Sequence, residues 1–268
     1  DENIFTAVCH YTLGCQKFKT GCSHCPALRP VIRKASHSRL KAKKSGFEEL
    51  RAEFVAPTSW IAKQFDSSWL ARSLGVSAKT IPNPISEIFF STNPKRSSGL
   101  GDGQIRIGFA AANVDNPIKG FSDFAKATKL VEATTEFEIR VTGTVSERTT
   151  VEHGHMVFMK RMLSTEEMID FYDSIDVLVV PSHGENAGTV FAEAASRKVP
   201  SIARNVGGMP ESVGKGERGW LFEDVEELAG IFATITKDEI GRRGEAAFQW
   251  SQNFKPSIAA ERYIKLFF

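Results

Sequence analysis

Apolar positions change their rhythm along this chain. From residue 105 onward, short continuous apolar runs alternate with segments whose apolar residues recur near every 3.6 positions. "IRIGFAA" (105–111), "FEIRVTG" (137–143), "DVLVVPS" (176–182) and "PSIAR" (200–204) read as strands, and "HMVFMKRM" (155–162) holds a shorter one. "GFSDFAKATKLVEA" (120–133), "STEEMIDFYDSI" (164–175) and "TVFAEAASRK" (189–198) read as helices, with two or three more over 225–268. Ser164 and Glu167 have capping-box spacing. Strands alternating with helices predict an α/β fold with a parallel sheet, and continuous apolar strands suit a sheet covered on both faces.

Before residue 105 the pattern is looser. "EFVAPTSWIAKQF" (53–65) gives a strand and then a helix, with Thr58 or Ser59 as N-cap. "AKTIPNPI" (78–85) is a strand stopped by two prolines. "STNPKRSSGLGDGQ" (91–104) is polar and carries three glycines, as a linker does. The expected organisation is therefore a first lobe over 1–90, a linker over 91–104, a Rossmann-like domain over 105–252 and a C-terminal helix over 253–268.

Composition narrows the function classes. With 34 basic and 32 acidic residues the net charge is +2, which gives no electrostatic case for nucleic acid as the partner. No apolar run is long enough to span a bilayer, and "DENIFTAVCH" lacks the basic start and apolar core of a signal peptide. Residues 31–51 are basic and read as largely helical. That charge is either a solvated helix face or a surface for an anionic membrane or acceptor.

All four cysteines lie between Cys9 and Cys25, which argues against a disulfide-built secreted fold and for a cytoplasmic protein. Cys9, Cys15, Cys22 and Cys25 are spaced C-x5-C-x6-C-x2-C. The closing C-x2-C is a common zinc half-site, and four thiolates complete a closed structural site. A disulfide or plain free thiols are the alternatives, with His10 and His24 as substitute ligands.

The most informative stretch is "GENAGTVFAEAASRKVPSIARNVGGMPE" (184–211), directly after the apolar run "DVLVVPS". Ligands in open α/β sheets bind beyond the carboxyl ends of the strands. Gly184 and Gly188 let the backbone turn and approach a ligand. The helix starting near Gly188 or Thr189 offers amides and a positive dipole end to an anion such as a diphosphate. Glu193 falls about one turn into that helix. A carboxylate only accepts hydrogen bonds, which suits the vicinal diol of a ribose. Glu185, in the loop, suits hydroxyls of a second sugar. Either glutamate alone reads as ordinary; the ordered pair behind a strand and before "GG" does not.

The stretch resembles the donor-site signature of retaining glycosyltransferases of GT-B architecture, family 4. There a glutamate, seven residues and a second glutamate precede Gly-Gly-x-x-Glu; here "ENAGTVFAE" precedes "GGMPE". "VAPTSWIAKQF", "IPNPI" and "NPIKGF" are similar to other segments of the family, in order. "CHYTLGCQKFKTGCSHCPAL" resembles a cysteine cluster of an exopolysaccharide, colanic-acid-type subset.

The resemblance implies a GT-B fold, with a Rossmann-like C-terminal lobe, part of an N-terminal lobe, and a last helix that packs back on that lobe. It implies that Glu193 binds the donor ribose and Glu185 contacts the donor sugar. Asn186, Ala187, Gly188, Thr189 and Val190 would line the sugar and diphosphate, with Gly207 and Gly208 nearby. Lys119 would neutralise the departing diphosphate. The family usually pairs an arginine with that lysine and has an aromatic after the first glutamate; here there is no such arginine, and "NAG" stands in the loop. Asp1 resembles the end of a His-Asp pair, which places the family's acceptor-side histidine outside this sequence.

The expected function is transfer of a sugar from a UDP- or GDP-sugar to a glycan or lipid-linked acceptor in polysaccharide biosynthesis, at the inner face of the membrane and without a catalytic metal. The alternatives are a nucleotide-sugar-binding module that needs a separate N-terminal lobe, and a GT-B sugar-nucleotide epimerase.

Overall fold

The computed structural model describes residues 2–26, 28–50, 52–94, 104–131, 137–153, 155–159, 163–186 and 188–268. The chain divides into two compact units, Asp1–Pro82 with Gly184–Ala187, and Asn83–His183 with Gly188–Phe268. Most of the expected linker, residues 95–103, lies outside the described residues, as do 132–133 and 160–162 of the expected helix and strand.

In the first unit, 3-10 turns at Glu2–Ile4, Lys17–Thr20 and Pro30–Ala35 lead into helix α1 (Ser36–Leu50). Strand β1 (Phe54–Ala56) is followed by α2 (Ser59–Asp66) and α3 (Trp69–Leu74), and β2 (Ala78–Thr80) pairs in parallel with β1. Thr58 is the N-cap of α2, its hydroxyl accepting from the Ile61 amide at 3.2 Å. Phe5, Phe18, Phe54 and Phe65 form an aromatic core, with Phe54 and Phe65 centroids 4.6 Å apart. Part of the basic charge of α1 is used inside this unit. The Lys43 ammonium donates to the Thr6 carbonyl at 2.9 Å and to Asn3 Oδ1 at 3.0 Å.

The second unit opens with the short helix α4 (Ile88–Ser91). Its sheet contains β3 (Ile105–Asn113), β4 (Phe137–Thr144), β5 (Val157–Met159), β6 (Val177–Val180), β7 (Ser201–Arg204) and β8 (Gly219–Phe222). The order is β5-β4-β3-β6-β7-β8, and every pairing is parallel. Counted within the unit this is the doubly wound order 3-2-1-4-5-6, which reverses between β3 and β6. The connecting helices are α5 (Phe121–Val131), α6 (Glu147–Glu152), α7 (Thr165–Asp173), α8 (Thr189–Ser196) and α9 (Met209–Ser212). After the sheet come α10 (Val225–Thr234), α11 (Lys237–Ser251) and α12 (Pro256–Phe267). The capping box of Ser164 and Glu167 is present at the start of α7.

Strand β6 shows why the apolar runs are continuous. Val177 and Val179 join a core with Phe124 of α5 and Phe232 of α10, whereas Leu178 and Val180 join one with Phe171 of α7 and Phe191 of α8. Alternate side chains point to opposite faces, and both faces are covered. Strand β8 was not legible as a strand, because "GWLF" begins with glycine and is only partly buried. Among the described residues no helix is long and apolar enough to cross a membrane.

Candidate functional site

The ends of β3 and β6 are neighbours, with Phe109 opposite Val179. After β3 the chain makes a 3-10 turn at Pro117–Lys119, capped by Asn116 Oδ1, which accepts from the Ile118 amide at 3.0 Å. Gly120 follows at φ 71°, and a Cβ there would stand 2.1 Å from the Pro181 carbonyl oxygen just beyond β6. Only glycine fits that position. The His183 amide donates to the Ile118 carbonyl at 2.8 Å. The half-buried Lys119 is therefore carried on a turn fastened to the chain leaving β6.

Helix α8 starts at Thr189 with Gly188 as N-cap, and no side chain caps it. Its leading amides are the groups that a helix start offers to an anion. Glu193 lies one turn in. Its Oε2 accepts from the Tyr172 hydroxyl at 2.9 Å, and the Thr189 hydroxyl donates to the same carboxylate. Burial pushes the Glu193 carboxyl above its usual range, and the two hydroxyls work against that rise. Tyr172 is fully buried; burial, followed by the charge of Glu193, holds its phenol well above the usual tyrosine value.

The other expected residues are distributed as follows. Val190 is half-buried in the first turn of α8. Gly207, at φ 63°, and Gly208 make the turn after β7, with Gly208 preceding α9. Glu185 and Asn186 fall in the first unit. There the Thr58 hydroxyl donates to the Asn186 carbonyl at 3.1 Å, and the Asn186 amide donates to Glu185 Oε1 at 3.3 Å. Asn186 Oδ1 is buried with no hydrogen-bond partner. Ala187 lies outside the described residues. The second unit thus gathers Lys119, Gly188, Thr189, Val190 and Glu193 around two adjacent strand ends, with Gly207 and Gly208 after β7.

Tyr172 was missed as a site residue. It reads as one more apolar position of α7, and the clue in sequence was that a buried hydroxyl needs a partner. A cavity of about 520 Å³ opens nearby, lined among others by Asn116, Phe121, Lys129, His153 and His183. Neither Lys119 nor Glu193 lines it.

The four cysteines lie in the first unit. All four are free, with Cys22 and Cys25 buried and Cys9 and Cys15 half-buried. Burial and the three other thiols push Cys9 up to about 11, and it shares a hydrogen bond with Cys25. Among the described residues no group of three or more His, Cys, Asp or Glu side chains is disposed to hold a metal ion. Cys22 belongs to the core of the first unit, and Cys9 lies within electrostatic reach of the other three thiols.

Comparison with known proteins gives a consistent result. A family model described as "Glycosyl transferases group 1" matches residues 104–238, just over half of the chain. The putative colanic acid biosynthesis glycosyl transferase WcaC of Escherichia coli K12 is 26% identical over 271 residues, covering 94% of this chain and 64% of that protein. In structure, sucrose-phosphate synthase from Thermosynechococcus elongatus aligns with a TM-score of 0.70 at 21% identity, over 96% of this chain and 66% of that one. Anabaena HepE in complex with UDP and glucose aligns with a TM-score of 0.66 at 17% identity, over 86% of this chain and 66% of that one. The chain therefore spans just under two thirds of the length of each relative, and the structural likenesses identify its fold as the α/β, GT-B type. By its matched sequence and its fold, this chain belongs to the group 1 glycosyltransferases.

Proposed function

We propose that this chain carries the donor site of a retaining glycosyltransferase, which moves a sugar from a nucleoside diphosphate sugar to a glycan or lipid-linked acceptor in polysaccharide biosynthesis. One observation carries the reading. A half-buried carboxylate, Glu193, is held by two hydroxyls one turn into a helix with no side-chain cap, at the strand reversal where doubly wound sheets bind nucleotides. The UDP and glucose bound by Anabaena HepE, a protein of the same fold, support a uridine or related nucleotide as donor.

In this reading Glu193 accepts from the ribose diol. The amides of Gly188, Thr189 and Val190 and the ammonium of Lys119 meet the diphosphate. As the bond from the sugar C1 to the diphosphate oxygen breaks, negative charge grows on the leaving group. A fixed ammonium and oriented amides stabilise that state more than the ground state. The acceptor oxygen bonds to C1 on the same face, and its proton passes to the departing phosphate oxygen, so the step needs no protein nucleophile. Glu185 and Asn186 are assigned to the donor sugar, and Gly207 and Gly208 to the nearby wall.

Work at a membrane surface fits the first unit. Val31 and Ile32 are 88% and 47% exposed, and Arg29, Arg39 and Lys41 are exposed on the same segment. Apolar tips among cations suit an anionic leaflet.

Calorimetric titration of the chain with UDP, GDP and ADP tests the donor site. Saturable binding of one nucleotide, lost in Glu193→Ala, is the expected result. Equal, weak binding of all three in the native and variant proteins contradicts it. Release of nucleotide from a nucleoside diphosphate sugar by the protein, dependent on added acceptor, then tests transfer.

A further inference from the structure

We propose that Tyr172 is a positioning residue for Glu193: its hydroxyl locks the carboxylate in one rotamer as a hydrogen-bond acceptor for the vicinal diol of the nucleotide ribose. This rests on the reading that Glu193 meets the ribose.

The geometry has three parts. Tyr172 is 0% exposed, and its ring packs against Phe171 and Phe89 with centroids 5.5 and 6.3 Å away. A ring held on these sides can aim its hydroxyl in one direction only, and it aims at Glu193 Oε2, 2.9 Å away. A phenol donating to a carboxylate is a charge-assisted bond, stronger than one between neutral groups. Finally, the pair joins different elements: Tyr172 rides on α7 and Glu193 on α8, both part of one core cluster through Phe171, Tyr172, Phe191 and Ala192. The carboxylate is thereby referred to the core and not only to its own flexible side chain.

The charged groups around Glu193 are committed elsewhere. Arg197, one turn further along α8, is spent on Asp173 of α7 and on the carbonyls of Thr92 and Asn93. Lys198 pairs with Glu245 of α11, and Arg204 at the end of β7 pairs with Asp123 of α5. Helix α4, "IFFS", carries no charge. Burial and the two hydroxyls alone set the ionisation of Glu193. A tyrosine here does two things that a phenylalanine cannot: it fixes where the oxygens are, and it keeps them ionised at lower pH.

The opposite arrangement, in which Glu193 serves only to satisfy a buried phenol, makes different predictions. The experiment compares native protein, Tyr172→Phe, Thr189→Val and Glu193→Gln. The Glu193 carboxyl is titrated by carbon-13 NMR in the free protein, and UDP affinity is measured across the same pH range. Tyr172→Phe should raise the Glu193 midpoint by about one pH unit, the equivalent of one lost charge-assisted bond. UDP affinity of the variant relative to native should be about threefold lower midway between the two midpoints, approach about tenfold lower below both, and recover to near the native value above both. Thr189→Val, at an exposed position, should move the midpoint the same way by less and provides the second variant if Tyr172→Phe folds poorly.

An unchanged midpoint in both hydroxyl variants overturns the proposal, and so does a moved midpoint with no change in UDP affinity. UDP binding indifferent to Glu193→Gln overturns the donor-site reading itself. The two failures are therefore told apart.

Discussion

Glu185 and Glu193 are the same residue type eight positions apart, and the structure treats them differently. Glu185 is half-buried in a loop, and its carboxylate accepts from the neighbouring Asn186 amide at 3.3 Å. Glu193 sits inside a core-facing helix, with a fully buried phenol donating to it. Partly burying a carboxylate without a cation costs free energy, which is why the Glu193 carboxyl rises above its usual range. Arg197, on the same helix, shows the contrast: its side chain is fully buried, yet it is matched by Asp173 and several carbonyl oxygens. The buried charge that caps the C-terminal end of α8 is satisfied within the protein, whereas the half-buried one within α8 is met by hydroxyls.

The sharpest way to break this comparison is to remove the satisfied charge. Arg197→Ala leaves Asp173 and the carbonyls of the 89–93 segment without their donor, and denaturant unfolding should show a loss of about 3–5 kcal/mol. A loss under about 1 kcal/mol would mean that the pairing is not what holds that segment.

Next in size is Lys119→Ala. A single ammonium on a diphosphate is worth about 1.5–3 kcal/mol, so affinity for a nucleoside diphosphate should fall about tenfold or more, with a smaller change for the nucleoside alone. Equal losses for both ligands would place Lys119 away from the phosphates.

The pH dependence follows from the raised carboxyl. Because the folded value of Glu193 lies above its unfolded value, its contribution to stability is full at pH below the unfolded value and is lost as pH rises through the folded one. The ligand-free native protein should therefore lose stability over that window, relative to Glu193→Gln measured in parallel. Curves that run parallel across it would show that the burial of Glu193 carries no such cost.

Smallest is Glu185→Gln. Its loop position predicts a stability change within about 0.5 kcal/mol and nucleotide affinity within about twofold. Its effect should appear in sugar turnover. A marked loss of nucleotide affinity would erase the distinction between the two glutamates.

Much of the second unit was legible in sequence because its rules are local. "VLVV" is buried on both faces and reads as such, and Ser164 with Glu167 cap α7 as their spacing demands. The glutamate spacing and the glycines placed Glu193 one turn into α8. What escaped depends on contacts distant in sequence. Tyr172 and Glu193 are 21 residues apart and meet only because α7 and α8 pack together. The cysteine spacing offers a metal half-site, but spacing alone fixes neither side-chain direction nor burial. Here Cys22 and Cys25 turn inward while Cys9 and Cys15 stay half-buried.

The most direct test is thermal melting of the native protein and Glu193→Gln at neutral pH, each with and without saturating UDP, GDP or ADP. Without ligand the variant should melt higher, since the cost of partly burying an ionised carboxylate is relieved. With ligand, one nucleotide should raise the melting temperature of the native protein by several degrees and that of the variant by much less. A variant that melts lower and responds to nucleotide as strongly as the native protein would show that Glu193 is a structural residue, and the donor-site account would fall.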